Sequence, residues 1–233
     1  MVNRLVINVV FMVVAAMTGT LLYWQVEVIN LGGPVMIPIV MCSIFVFTIV
    51  AERLYYFFRL HLGKDIAKFF DQLRATLEAH QWKDAEVLCQ AWEGPVARVV
   101  LAGLSVREGS PQEIDEAIEE AAHEELPGVE RHLRWLSTLA QVSTLLGLLG
   151  TVTGLVQAFQ VIQSKASSTN PVNPSDLAGG IWEALITTVA GLVVAIPTIL
   201  AYNYFAGRVG DVQFQMEKAA ALVSGWRRLR AKS

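Results

Sequence analysis

Glu183, Thr187 and Thr188 fall within EALITT, inside a long apolar run, and Thr151 falls within LLGLLGTVTGLVQAF, an equally apolar stretch with glycine at 147, 150 and 154. Glu183 is the one carboxylate well inside any long apolar run of the chain, and an acid at membrane depth normally faces protein or a water cavity. Threonine does not titrate in the ordinary pH range. Its hydroxyl both donates and accepts, so it can hold a water or bond to a facing polar group. The set therefore reads as a polar path at membrane depth lined by Thr151, Thr187 and Thr188 with Glu183 beside it. Plainer uses stand next to that one. A membrane threonine commonly bonds back to its own helix or joins two helices, and a carboxylate near an interface can be reached by water.

The elements that must position these residues are membrane helices. Of 233 residues 54% are hydrophobic and only 17% are charged, with a mean hydropathy of +0.46, well above the usual range of a soluble domain. Four apolar runs are long enough to cross about 30 Å of hydrocarbon as helix: residues 5–24, 31–51, 136–163 and 177–206. Glycine in a helix interior costs roughly 1 kcal/mol relative to alanine, so Gly147, Gly150 and Gly154 require a reason from a neighbour. Their spacing of three and four lines one helical face and includes a small-xxx-small pair. In the last run Ala184, Thr188, Gly191 and Ala195 form a matching stripe, with Glu183 and Thr187 on an adjacent strip. Close helix packing is the simple role of Gly147, Gly150, Gly154 and Gly191.

Charge gives a topology. Of 18 lysines and arginines, ten lie in residues 52–135 and six after residue 204, while the loop 164–176 has only Lys165. The positive-inside rule makes residues 52–135 a cytoplasmic helical domain, 164–176 a periplasmic loop and 207–233 a cytoplasmic amphipathic tail. Residues 1–30 comprise a hydrophobic helix and a short periplasmic link. Arg4, the apolar core and Ala15-Ala16 also suit a signal peptide, but no clear A-x-A site follows and the apolar run continues to Trp24; a retained span is the favoured reading. Cys42 lies in a span and Cys89 in the cytoplasmic segment, so both read as structural thiols.

Within residues 52–135, Ile66, Phe69, Phe70, Leu73 and Leu77 have helical spacing, and Gly94-Pro95 separates two further short helices. Ser110-Pro111 with Glu113 predicts a helix start, and Pro127-Gly128 predicts a kink or an interruption before the helix resumes at Val129 and enters the third run. The tail ends in a basic cluster, Arg227, Arg228, Arg230 and Lys232, which suits either anionic headgroups or plain solvation.

Three motifs in order, LGGPVMIPIVMCSIF…AERL, LPGVERHLRWLSTLAQVSTLLGLLGTVTGLVQAF and LAGGIWEALITTVAGLVVAIPTILAYNYF, closely resemble the ExbB/TolQ/MotA proton-channel family, nearest to ExbB. They cover about half the chain. The resemblance implies an all-α membrane protein of three core spans, here with an additional N-terminal one, in the bacterial inner membrane. It implies a homopentamer around a dimer of an ExbD/TolR-like single-span subunit, whose aspartate carries the proton. The assembly converts proton-motive force into work on a TonB- or TolA-like transducer. By motif, Thr151 and Thr188 would line the pore and Glu183 would tune its outer end; the glycines would let subunits pack closely. Where the family commonly has Ala-Pro before LLGLLGTV, this chain has Ser143-Thr144, so local hydroxyl bonding replaces the kink or the kink is lost. The additional span resembles the four-span flagellar MotA, although the GGPVMIPI and AERL signatures are those of ExbB.

Other function classes find little support. Pro127 occupies the position that a second histidine would need after His123-Glu124 in a zinc-binding helix, and no phosphate-binding loop or nucleophile elbow is present. No enzyme activity, metal, cofactor or nucleic acid is expected. An autonomous oligomeric channel, a flagellar or gliding stator, and a purely structural scaffold remain the competing readings.

Overall fold

A computed structural model describes residues 32–60, 64–92, 94–166 and 173–230. Among them the protein is all-α: α1 Met36–Arg59, α2 Lys64–Glu78, α3 Trp82–Trp92, α4 Pro95–Ser105, α5 Pro111–Glu130, α6 Leu133–Ala166 and α7 Pro174–Arg230. The hydrophobic helix expected within residues 1–30 lies outside the described residues, as do 167–172 of the loop before α7 and the end of the tail. The helix α1, the run Pro111–Lys165 and the run Leu177–Trp226 are each long and apolar enough to cross a membrane. The contacts divide the chain into two units, the described part of Met1–Thr48 with Leu136–Leu200, and Ile49–Trp135 with Ala201–Ser233.

The first unit has few large buried side chains. Met36, Ile39 and Ala190 form its small apolar cluster, backed by Leu146, Ile186 and Val194. Leu148, Val152 and Phe159 of α6, and Leu185, Leu192 and Ile196 of α7, are exposed. That inverted distribution suits an apolar solvent, where burying leucine brings no hydrophobic gain.

The second unit is packed as in water. Phe69, Leu73, Val99, Val100, Leu104, Ile114 and Met216 are buried, and Phe57 stacks on Phe205 with ring centroids 5.8 Å apart. Every apolar position expected along α2, from Ile66 to Leu77, is buried. The start of α5 is a capping box: the Glu113 amide donates to Ser110 Oγ at 3.2 Å and the Ser110 amide donates to Glu113 Oε2 at 2.9 Å. Cys89 is buried and free, and burial, with the Glu86 charge nearby, pushes its thiol up to about 12.

The helix break falls later than Pro127-Gly128 predicts. α5 continues through both to Glu130, and the chain turns at Arg131 and His132, the latter at φ 63°. Arg53 accounts for this position. Only 2% exposed, it donates from Nη1 to the carbonyls of Gly128 (3.4 Å) and Val129 (3.2 Å), and from Nη2 to Glu52 Oε1 at 3.0 Å. A cation held at the last carbonyls of a helix satisfies groups that have no donor of their own and opposes the negative end of the helix dipole. Glu52 then reaches His132 Nδ1 at 2.6 Å, fixing the left-handed residue. A proline in the last turn removes only one helical donor, a small loss against these bonds.

Arg53→Met keeps much of the volume but leaves two helix-end carbonyls without their donor and Glu52 with His132 alone. Thermal unfolding of the detergent-solubilised protein should show a loss of about 3 kcal/mol; an unchanged midpoint would remove Arg53 from this role. Because its thiol is buried and hard to ionise, Cys89 should resist maleimide at pH 8 in the folded protein and react once the protein is denatured, as mass spectrometry would show.

Candidate functional site

The glycines of α6 and the small residues of α7 bring two backbones together. A Cβ on Gly191 would lie 2.6 Å from the Ser143 carbonyl oxygen, and one on Gly154 would lie 2.5 Å from the Gly180 carbonyl oxygen. A Cβ on Gly147 would meet the Thr188 Cα at 3.2 Å, and one on Gly150 would collide with the Thr187 side chain. At Gly191 and Gly154 the obstacle is backbone, which no rotamer change removes. α6 stays helical through Ser143 and Thr144, whose hydroxyls donate to the carbonyls of Leu139 (2.7 Å) and Ala140 (3.1 Å). Both hydroxyls thus bond within α6, which continues unbroken through the two residues.

This contact separates the two adjacent threonines of α7. Thr187 is fully buried over Gly150, its hydroxyl shared between the carbonyls of Glu183 and Ala184, each at 2.9 Å. Expected on the strip beside the small-residue stripe, Thr187 sits inside the contact and presents no surface. Thr188 is half-buried, and its hydroxyl donates across the interface to the Gly147 carbonyl at 3.0 Å. That bond requires the bare backbone of Gly147. Thr151, one turn further along the same side of α6, is half-buried and donates to the Leu148 carbonyl at 2.6 Å. A hydroxyl has a single proton, so Thr151 and Thr188 both retain their lone pairs as acceptors.

Glu183 stands one turn before Thr187, with Gln157 Nε2 donating to its Oε1 at 3.4 Å. Its carboxylate also lies directly against Gly33, where an added Cβ would collide with Oε1. Gly33 has φ 64°, so conformation and space both demand glycine there. Gly33 and Gln157 escaped the sequence reading. The Gly-Gly-Pro turn that opens α1 and a lone amide in an apolar stretch of α6 were the available signals. No group of three or more His, Cys, Asp or Glu side chains suited to a metal ion occurs among the described residues.

Residues 91–218 match the MotA/TolQ/ExbB proton channel family. The chain is 35% identical over 179 residues to ExbB-like 3 of Synechocystis sp., an alignment covering 75% of this chain and 81% of that protein. It is 31% identical over 196 residues to the biopolymer transport protein exbB1 of Vibrio cholerae, covering 81% and 82%. The chain belongs to the MotA/TolQ/ExbB proton channel family. A further Synechocystis relative, ExbB-like 1, is 36% identical over 172 residues, 74% of this chain and 66% of that protein. The family match contains Thr151, Thr188, Glu183 and the glycines of the α6–α7 contact, whereas Gly33 and Arg53 lie before it.

Gly191→Val should force the two helices apart and cost about 1–3 kcal/mol in thermal unfolding. Gly207→Ala, at an α7 position where a Cβ meets nothing within 4 Å, should be neutral or slightly stabilising. Equal effects of the two would show that the close approach does not matter.

Proposed function

We propose that this chain is the channel and stator subunit of a motor in the bacterial inner membrane, powered by proton-motive force. In this reading five copies, with their C-termini in the cytoplasm, surround a dimer of an ExbD/TolR-like single-span subunit and act on a TonB- or TolA-like protein. Family membership supports the proton-channel part. The names carried by relatives, such as the exbB1 biopolymer transport protein, suggest the direction of the work.

The observation that carries the reading is the state of the two half-buried hydroxyls. Thr151 and Thr188 commit their protons to backbone carbonyls and keep lone pairs. A protonated carboxyl on a partner helix is a donor that needs an acceptor of this kind; an ionised one is an acceptor and gains nothing from these lone pairs. Such a surface favours the neutral, proton-loaded form of the carrier, as transport through an apolar layer requires. Neither threonine carries the proton itself. Glu183, held against the Gly33 turn and Gln157, stands one turn before Thr187, and in this reading it tunes the outer end of the path.

Gentle extraction from native membranes, followed by mass spectrometry, should find a small single-span protein with an aspartate in its membrane helix in stoichiometric amount. A homo-oligomer that conducts without such a subunit would point instead to an autonomous channel. With the partner present, Thr188→Val should assemble normally yet lower proton flux into liposomes about tenfold, the scale of one lost hydrogen bond. Thr188→Ser, which keeps the hydroxyl, should recover most of the flux. Normal flux in assembled Thr151→Val/Thr188→Val complexes would exclude the pathway.

A further inference from the structure

The second unit contains a groove of about 710 Å³ between α5 and the later part of α7. Ile118, Leu126 and Met216 give it an apolar floor; Asp115, Glu119 and Glu217 line it, and no lysine or arginine does. α5 runs antiparallel to α7 here. Ser224 Oγ donates to Asp115 Oδ1 at 2.5 Å and Gln213 Nε2 donates to Glu130 Oε1 at 3.5 Å, so the groove occupies the level of residues 213–225 of α7.

A second face of α7 lies at the same level and has the opposite charge. Glu217 and Lys218 are consecutive, so their side chains leave the helix about 100° apart. On the side of Lys218 a hollow of about 260 Å³ between α2 and α7 is lined by two cations, Arg74 and Lys218, and one acid, Asp71. Lys218 Nζ rests 4.4 Å from the centroid of the Phe70 ring, and Arg74 is exposed. One turn before Lys218 stands Phe214, 62% exposed, the only open large apolar side chain of α7 after residue 206 among the described residues. The proposed function uses neither the groove nor this face.

We propose that the groove of one copy receives the face of a second copy that carries Phe214, Lys218 and Arg74. The inference rests on the reading of the chain as an oligomer of parallel copies. Copies that cross a membrane in the same sense are related by rotation about its normal, so two surfaces that meet must lie at one depth. These do, because the same stretch of α7 carries both. Phe214 of one copy comes level with Leu126 and Met216 of the next, and Lys218 and Arg74 come level with Glu217 and Glu119. An aromatic ring suits the apolar floor, and arginine can pair with a carboxylate through two hydrogen bonds. Groove and face are different surfaces, so the contact is heterologous. Their separation around α7 is roughly the angle between the two neighbours of one copy in a small closed ring.

The test uses the full-length chain, with its co-purifying proteins, in native membranes. Phe214 is replaced by the photoreactive p-benzoylphenylalanine, which keeps the ring, and irradiation is followed by denaturing electrophoresis and peptide mass spectrometry. The expected product is a linked pair of copies, joined from position 214 to residues 118–126 of α5 or to Met216. Adding Glu119→Lys/Glu217→Lys should reduce this product at least about fivefold, and adding Arg74→Glu/Lys218→Glu to the same chain should restore it. The mass of the purified complex is measured in parallel. An intact oligomer in which position 214 links to any other target or to none, or in which linking ignores the charge changes or is not restored, would overturn the docking while leaving the proposed function standing. A monomer would overturn both.

Discussion

The first unit depends on how closely two backbones approach. In hydrocarbon, leucine gains nothing by moving from lipid to protein, so helix association rests on dispersion contacts and interhelical hydrogen bonds, both of which fall off within an ångström or so. Glycines at 147, 150, 154, 180 and 191 remove the side chains that would hold α6 and α7 apart. A threonine hydroxyl can then reach the carbonyl of the facing helix, as Thr188 reaches Gly147. The helix propensity lost at each glycine is offset by contact that no larger residue permits.

That constraint also assigns the polar groups. Thr187 and Thr188 are neighbours in sequence and about 100° apart around the helix. One is sealed inside the contact with its hydroxyl spent on its own helix; the other bridges to α6 and retains acceptor capacity at a half-buried surface. Glu183 is held by a different device, a left-handed glycine turn that leaves room for a carboxylate. Backbone geometry rather than a network of ionisable groups defines this site.

The second unit follows the opposite rules. Large apolar side chains are buried, and the end of α5 is fixed by a buried cation. Arg53 gathers the helix-end carbonyls and Glu52, and Glu52 in turn holds His132. Placing a guanidinium in the interior is tolerable because several acceptors surround it, and its loss would strand the two helix-end carbonyls. The break before α6 thus has a defined position, set by a residue on α1 rather than by the nearby proline.

Much of this was legible in the sequence. Apolar run lengths give the membrane class, the period of Ile66 to Leu77 gives a helix face, Ser110 and Glu113 give a cap, and the motifs around Thr151 and Thr188 give the family. Each is a local signal, carried by spacing within one helix or by a contiguous motif. What the sequence could not decide was how distant segments meet. The inner position of Thr187 follows from the rotation of α7 against Gly150. The pairing of Gly33 with Glu183 joins residues 150 positions apart, and the displacement of the helix end from Pro127 to Glu130 needs Arg53, which sits more than 70 residues earlier. Spacing fixes which residues share a face; only the tertiary structure decides which face meets another, because that choice is made by contacts between segments that carry no common pattern.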